Sequence, residues 1–143
     1  MLASAVQMVL QAALLVGGTP TYERAYYDAQ ANGRPLLVLV GADWCPGCRT
    51  MKQSVMPRMS AAGRLAGVNF AVVDTDARGD LADRLMRGGS IPQLIAFSQG
   101  ADGQWRRQQV TGATSEAGVA SLIRQAVGHQ ATASRGSQSA IGN

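Results

Sequence analysis

The chain reads as an α/β domain whose centre is a four-stranded mixed sheet flanked by helices. Three observations carry that expectation. Apolar runs of strand length alternate along the chain with stretches of helical period. Leu36 to Val40 is continuously apolar, as a strand covered on both faces must be. The last two apolar runs stand too close together for a crossover, with Gly100-Ala101-Asp102-Gly103 between them, so they form an antiparallel hairpin.

Each element follows from its residues. Tyr22 to Ala31 is helical, with Ala25, Tyr26 and Ala29 on one face and Asn32-Gly33 as its stop. Leu36 to Val40 is the first strand. The next helix opens at Pro46, turns Met51 and Val55 inward, kinks or restarts at Pro57 and stops near Gly63. Val68 to Val73 is a second strand, ending at Asp74-Thr75-Asp76. Asp80 to Met86 is a short helix closed by Gly88-Gly89. Leu94 to Phe97 and Trp105 to Val110 are the hairpin strands. Val119, Leu122, Ile123, Ala126 and Val127 mark one face of a final helix, opened by Thr114 or Ser115.

The chemistry is concentrated in Trp44-Cys45-Pro46-Gly47-Cys48, which holds both cysteines of the chain. The pair falls where the first strand gives way to a helix. There the Cys45 sulfur meets backbone N–H groups and the positive end of the helix dipole, which stabilise its thiolate. Cys48 follows one turn later, close enough to attack a mixed disulfide and release the partner. Pro46 suits the first helical position, where its fixed φ helps and its missing N–H costs nothing. Gly47 leaves room for a partner's chain. The arrangement points to thiol–disulfide exchange.

The two ends stand apart from a domain spanning residues 19–128. Met1 to Val16 is mostly Ala, Leu, Val and Met, broken by Ser4, Gln7 and Gln11. It is short of the roughly 20 apolar residues of a spanning helix, and no Lys or Arg precedes it as in a full signal peptide. A weakly charged export signal is the first reading of residues 1–18; a short helix packed on the domain and a membrane-associated anchor are the alternatives. Residues 129–143 are small and polar, a composition that predicts a disordered tail. His129, the single histidine, reads as a loose surface residue there. The formal charge is +4, with Lys52 the only lysine and no cationic cluster interleaved with aromatics, so nucleic-acid binding is not expected.

The order of elements, the Trp-Cys-x-x-Cys junction and the later Gly89-Ser90-Ile91-Pro92 together resemble the thioredoxin superfamily. Gly33-Arg34-Pro35-Leu36-Leu37 leading into Ala42-Asp43-Trp44-Cys45 is most similar to one branch, the domains related to the C-terminal domain of DsbD-type reductases. The resemblance implies a thioredoxin-like fold in which Ile91-Pro92 forms a cis-proline loop facing the disulfide. It implies that Pro92 shapes a groove, that the Ile91 backbone pairs with the substrate chain, and that Gly112 lets a partner approach. It also implies protein thiols and disulfides as substrates, an electron donor or acceptor protein as partner, and no cofactor or metal beyond the Cys45–Cys48 dithiol. A monomer working in the periplasm, or otherwise exported, is expected, with the cytoplasm as the alternative.

Two departures bear on mechanism. The family usually buries an aspartate five residues before the tryptophan, where it assists proton transfer at the resolving cysteine; that position here is Leu39. Its partnering lysine falls near Val72 and is also missing. Asp43 is a candidate stand-in, although beside Trp44 it reads as pointing to solvent. Pro46-Gly47 reverses the Gly-Pro of common thioredoxins and contains no histidine, which leans toward a reductant rather than a strong oxidant.

The remaining candidates divide in the same way. Trp44 reads as a lid beside the sulfurs. Met51, Met56, Met59 and Met86 read as core filler rather than a metal box, and Asp74 and Asp76 as turn residues rather than a cation site. Arg49 either favours the Cys45 thiolate or is simply a surface residue. Three functions follow: a thiol–disulfide oxidoreductase with Cys45 as nucleophile and Cys48 as resolving thiol; a Cu(I)- or zinc-handling protein built on the same pair; and a binding module whose catalysis has decayed.

Overall fold

The structure is a computed structural model that describes residues 18–139; the apolar segment up to Val16 lies outside the described residues. Helix α1 (Tyr22–Asn32) is followed by strand β1 (Leu36–Gly41) and helix α2 (Pro46–Thr50). A π-helical turn, Met51–Val55, then leads into α3 (Met56–Ala61). Strand β2 (Asn69–Asp74), helix α4 (Gly79–Leu85), the hairpin strands β3 (Gln93–Gln99) and β4 (Trp105–Thr111) and helix α5 (Glu116–Ser139) complete the order. The sheet runs β2-β1-β3-β4, with β1 parallel to β2, and antiparallel pairing between β1 and β3 and between β3 and β4.

Local chemistry sets the boundaries. Thr21 caps α1, its Oγ1 accepting the Arg24 N–H at 3.2 Å, and Gly33 closes the helix at φ 71°, a conformation that favours glycine. Pro57 has no N–H for an α-helical bond and its ring crowds the preceding turn. The helix widens just before it, and the Met56 N–H reaches back five residues to the Met51 carbonyl. Ser115 is the residue that opens α5: its Oγ accepts the Gly118 N–H at 3.1 Å and its carbonyl the Val119 N–H at 3.0 Å.

Strand β1 is buried along its whole length because it sits between two cores. Leu37 and Leu39 face Met51, Val55, Met56 and Met59, together with Val119, Leu122 and Ala126 of α5. Leu36, Val38 and Val40 face Ala25 and Ala29 of α1 and Leu81, Ala82 and Leu85 of α4. That two-sided burial is why the run shows no polar alternation. Met51, Met56 and Met59 are all buried in the first core, and Met86 packs against the second.

Several expectations are corrected. Tyr26 is not inward-facing; it is 38 % exposed and stacks on Tyr22 and Trp105, with ring centroids 6.1 and 6.3 Å away. Val127 lies on the outer side of α5, 46 % exposed. The composition of residues 129–143 predicts disorder, yet the backbone is helical through Ser139. Its alanines and glutamine sustain a helix already nucleated by packing, and Gln130 Nε2 fastens it by donating to the carbonyls of Gly33 (2.9 Å) and Gln99 (3.3 Å).

Met59 is fully buried where α3 meets β1 and α5. Met59→Ala is expected to cost about 2–5 kcal/mol of folding stability, read from guanidinium unfolding; a loss below about 1 kcal/mol would contradict this packing.

Candidate active site

Strand β1 ends at Gly41, and after three intervening residues the chain reaches Cys45, at the start of α2. Cys45 is the N-cap of that helix, with extended φ −85° and ψ 120°, and Pro46 takes the first helical turn. The Cys45 sulfur accepts the Cys48 backbone N–H at 3.3 Å, and Cys45 O accepts the Arg49 N–H at 3.0 Å. Both cysteines are free thiols, only 7 and 5 % exposed.

Their surroundings separate them. Burial alone would raise the Cys45 thiol. The hydrogen bond with the Cys48 thiol, the backbone N–H groups of Cys48 and Gly47 and the nearby Arg49 charge outweigh it, leaving Cys45 below the ordinary thiol range. Cys48 sits deeper. Burial, the hydrogen bond to Cys45 and repulsion from the Cys45 charge push it up to about 11. Cys45 is therefore the more readily ionised of the two thiols, and Cys48 holds its proton more tightly.

The opposing wall comes from the loop before β3. The Ile91–Pro92 peptide is cis, and the Cys45 thiol lies 3.9 Å from the Ile91 carbonyl, which it meets as donor. Gly112 has φ 92° and donates its N–H to the Pro92 carbonyl at 2.8 Å. Gly47 faces this loop directly: a Cβ there would stand 3.3 Å from Pro92 Cδ and 3.6 Å from Ala113 Cβ. The space expected for a partner at Gly47 is thus taken by the chain's own loop, which nestles against the helix N-terminus. Cys45, Pro46, Gly47, Cys48, Ile91, Pro92 and Gly112 share one end of the sheet, since Val40 pairs with Gln93 and Gln93 with Thr111. Trp44 stands at the rim, 65 % exposed, with its indole N–H bound to Asp76 Oδ2 at 2.9 Å.

Two residues that shape the site, Gln93 and Gly41, were not singled out by sequence reasoning, and Asp76 takes a role beyond the turn expected of it. Gln93 is fully buried, and its amide ties down the loop before Pro92. Nε2 donates to the carbonyls of Arg87 (3.0 Å), Gly88 (3.1 Å) and Ser90 (3.0 Å), and Oε1 accepts the Arg87 N–H at 3.2 Å. A polar residue opening an apolar strand straight after Ile-Pro is the signal that points to it. Gly41 lies behind Cys48: a Cβ there would come within 2.7 Å of Cys48 Sγ and 3.0 Å of its Cβ. Asp76 acts as the anchor of Trp44, while Asp74 is the turn residue expected, its Oδ1 accepting the N–H groups of Asp76 and Ala77 at 2.8 and 3.0 Å.

The other candidates fall into place. Asp43 lies in solvent, its carboxylate 3.1 Å from Lys52 Nζ. Arg49 braces the junction by donating to the Asp43 carbonyl at 3.1 Å, and its charge favours the Cys45 thiolate. Leu39 and Val72, the two apolar positions at which the resemblance implies a charged pair, are direct partners in the β1–β2 register. Met51 contributes its sulfur to the Thr114 N–H at 3.3 Å. Among the described residues no three His, Cys, Asp or Glu side chains converge as a metal would need.

A four-stranded mixed sheet with a Cys-x-x-Cys helix cap facing a cis-proline defines a thioredoxin-like domain. The thioredoxin-like family profile matches residues 18–98, and the chain belongs to that family. Over 112 residues, 76 % of this chain, it is 29 % identical to the thiol:disulfide interchange protein DsbD 1 of Pseudomonas aeruginosa; the chain spans only 19 % of that relative's length. Among solved structures it is similar to a thioredoxin from Thermus thermophilus, with TM-score 0.61 and 28 % identity over 73 % of this chain and 82 % of that one. Trichomonas vaginalis thioredoxin superposes with TM-score 0.58 and 25 % identity, covering 76 % of this chain and 93 % of the other.

Two predictions follow from this geometry. In the reduced protein, the pH midpoint for Cys45 alkylation falls below that of an ordinary thiol, while Cys48 resists until the pH nears about 11; mass spectrometry of iodoacetamide adducts reads both, and equal reactivity would contradict the assignment. Gly41→Ala forces Cys48 aside, because the added methyl meets both its sulfur and its Cβ. Overpacking of this kind costs about 1–3 kcal/mol, visible in thermal unfolding together with slower closure of the Cys45–Cys48 disulfide.

Proposed function

We propose that the protein is a thiol–disulfide oxidoreductase in which Cys45 is the nucleophile and Cys48 the resolving thiol. One observation carries the reading: the Cys45 sulfur caps a helix N-terminus, with its thiolate favoured, directly beside the Ile91 carbonyl and the cis Pro92. The Cys45 thiolate attacks one sulfur of a substrate disulfide, forming a mixed disulfide and expelling the first substrate thiolate. Cys48 then loses its proton and attacks Cys45 Sγ. The Cys45–Cys48 disulfide forms, the second substrate thiolate leaves, and two electrons have passed from the dithiol to the substrate. The substrate backbone lies along Ile91, with Pro92, Gly112 and Trp44 shaping the groove.

The direction proposed is reduction of other proteins' disulfides. Favouring the Cys45 thiolate stabilises the reduced form and makes the pair more oxidising, but the raised Cys48 works the other way, and no histidine stands between the cysteines to add to the first effect. The likeness to a thiol:disulfide interchange protein supports protein substrates and a protein electron donor. It also supports a working place outside the cytoplasm, where disulfides persist.

Cys45→Ser is expected to abolish reduction of a disulfide-bonded protein substrate, and Cys48→Ser to accumulate a covalent Cys45 adduct on non-reducing gels. Full activity in Cys45→Ser would end the reading. Equilibration of the pair with thiol buffers gives the direction: a midpoint near about −270 mV belongs to a reductant and one near about −120 mV to an oxidant of other proteins.

A further inference from the structure

The exchange cycle proposed above leaves one demand unmet. Cys48 must become a thiolate to resolve the mixed disulfide, yet burial and the neighbouring Cys45 push it up to about 11, so that it keeps its proton at pH 7. Forming the mixed disulfide neutralises Cys45 and removes its repulsion, but burial, the largest cause, remains. A base is needed, and Leu39 and Val72, which face each other across β1 and β2 beside Cys48, are both apolar.

Behind Cys48 lies a cavity of about 10 Å³ lined by Leu39, Gly41, Cys48 and Val72 together with Lys52 and Asp74. It has the size of one water molecule. Lys52, Val72 and Asp74 also line a larger open groove of about 560 Å³ beside α3, so Asp74 borders both the cavity and the groove. Asp74 is half-buried at the end of β2. Its Oδ1 is fixed by the N–H groups of Asp76 and Ala77, which holds the carboxylate in one orientation. The other charged groups bordering the cavity are less suited to take a proton. Asp43 is 77 % exposed and paired with Lys52, Lys52 and Arg49 are cations, and Cys45 is the electrophilic sulfur at that step.

We propose that Asp74 is the proton-relay residue for the resolving cysteine, acting through a water seated in the cavity behind Cys48. As Cys48 attacks Cys45 Sγ, its proton passes to that water, and the water's proton passes to the Asp74 carboxylate and out through the groove. The sulfur electron pair forms the Cys45–Cys48 bond, and the substrate thiolate leaves. Asp74 touches no reacting atom; it positions and discharges the water that does.

The test is single-turnover release of the second thiolate from an aromatic disulfide, followed by its visible absorbance from pH 5 to 10 in the full chain. Asp74→Asn keeps an oxygen for the two turn N–H bonds while removing the base, and general-base loss of this kind costs about a hundredfold or more. The second phase should slow by that factor at pH 7 and rise about tenfold per pH unit, as hydroxide takes over, while the first phase, attack by Cys45, stays unchanged. Val72→Ile keeps the carboxylate but fills the water site, and should give the same hydroxide-dependent profile. It also carries the test should Asp74→Asn fail to fold. A wild-type profile in Asp74→Asn, or a uniform slowing with unchanged pH dependence, overturns the relay. So does a wild-type profile in Val72→Ile. If the unmutated protein releases no first thiolate, the exchange reading fails, and the relay fails with it.

Discussion

The antiparallel pairing of β1 with β3, Val40 opposite Gln93, is the constraint from which the site follows. It brings the C-terminal end of one central strand beside the N-terminal start of the next. The chain leaving β1 must then turn into α2 next to the loop that enters β3 through Pro92. Cys45 and Ile91, 46 residues apart, meet there because both flank the same rung. The pairing is secure because β1 is buried on both faces: slipping by one residue would exchange Leu37 and Leu39 with Val38 and Val40 between two differently shaped cores.

Electrostatics then divides two chemically identical side chains. Cys45 lies where N–H groups converge and a guanidinium is near, so its anion is solvated by fixed dipoles in place of water. Cys48 lies one turn further into the protein with only the Ala42 backbone and its own N–H favouring its charge, against stronger burial. The asymmetry belongs to the strand–helix junction.

Much of this was legible in the sequence because it is local. Apolar runs gave the strands, Thr21 and Gly33 bracket α1, and the cysteine spacing gave the helix cap. What stayed hidden depends on contacts between distant segments. No periodicity links Trp44 to Asp76 or Gly41 to the Cys48 sulfur. Tyr26 reads as a core residue from its helical face, yet it lies partly exposed, stacked on Trp105 from far along the chain. The C-terminal stretch reads as disordered by composition, and its helicity begins in the packing of Val119, Leu122 and Ala126 rather than in its own residues.

Gln93 has a consequence for how this surface can change. One buried amide satisfies three carbonyls and one N–H of the segment from Arg87 to Ser90, using both donor hydrogens and the acceptor oxygen. No other side chain of that length offers both kinds of group, so the frame of the loop is held from beneath and owes little to the identity of the residues on its outer face. Arg87, Gly89 and Ser90 are therefore free to be exchanged, by evolution or by an engineer seeking a new clientele, without disturbing the peptide unit opposite the sulfur. The loop's outer face can thus vary while the buried amide keeps its frame in place.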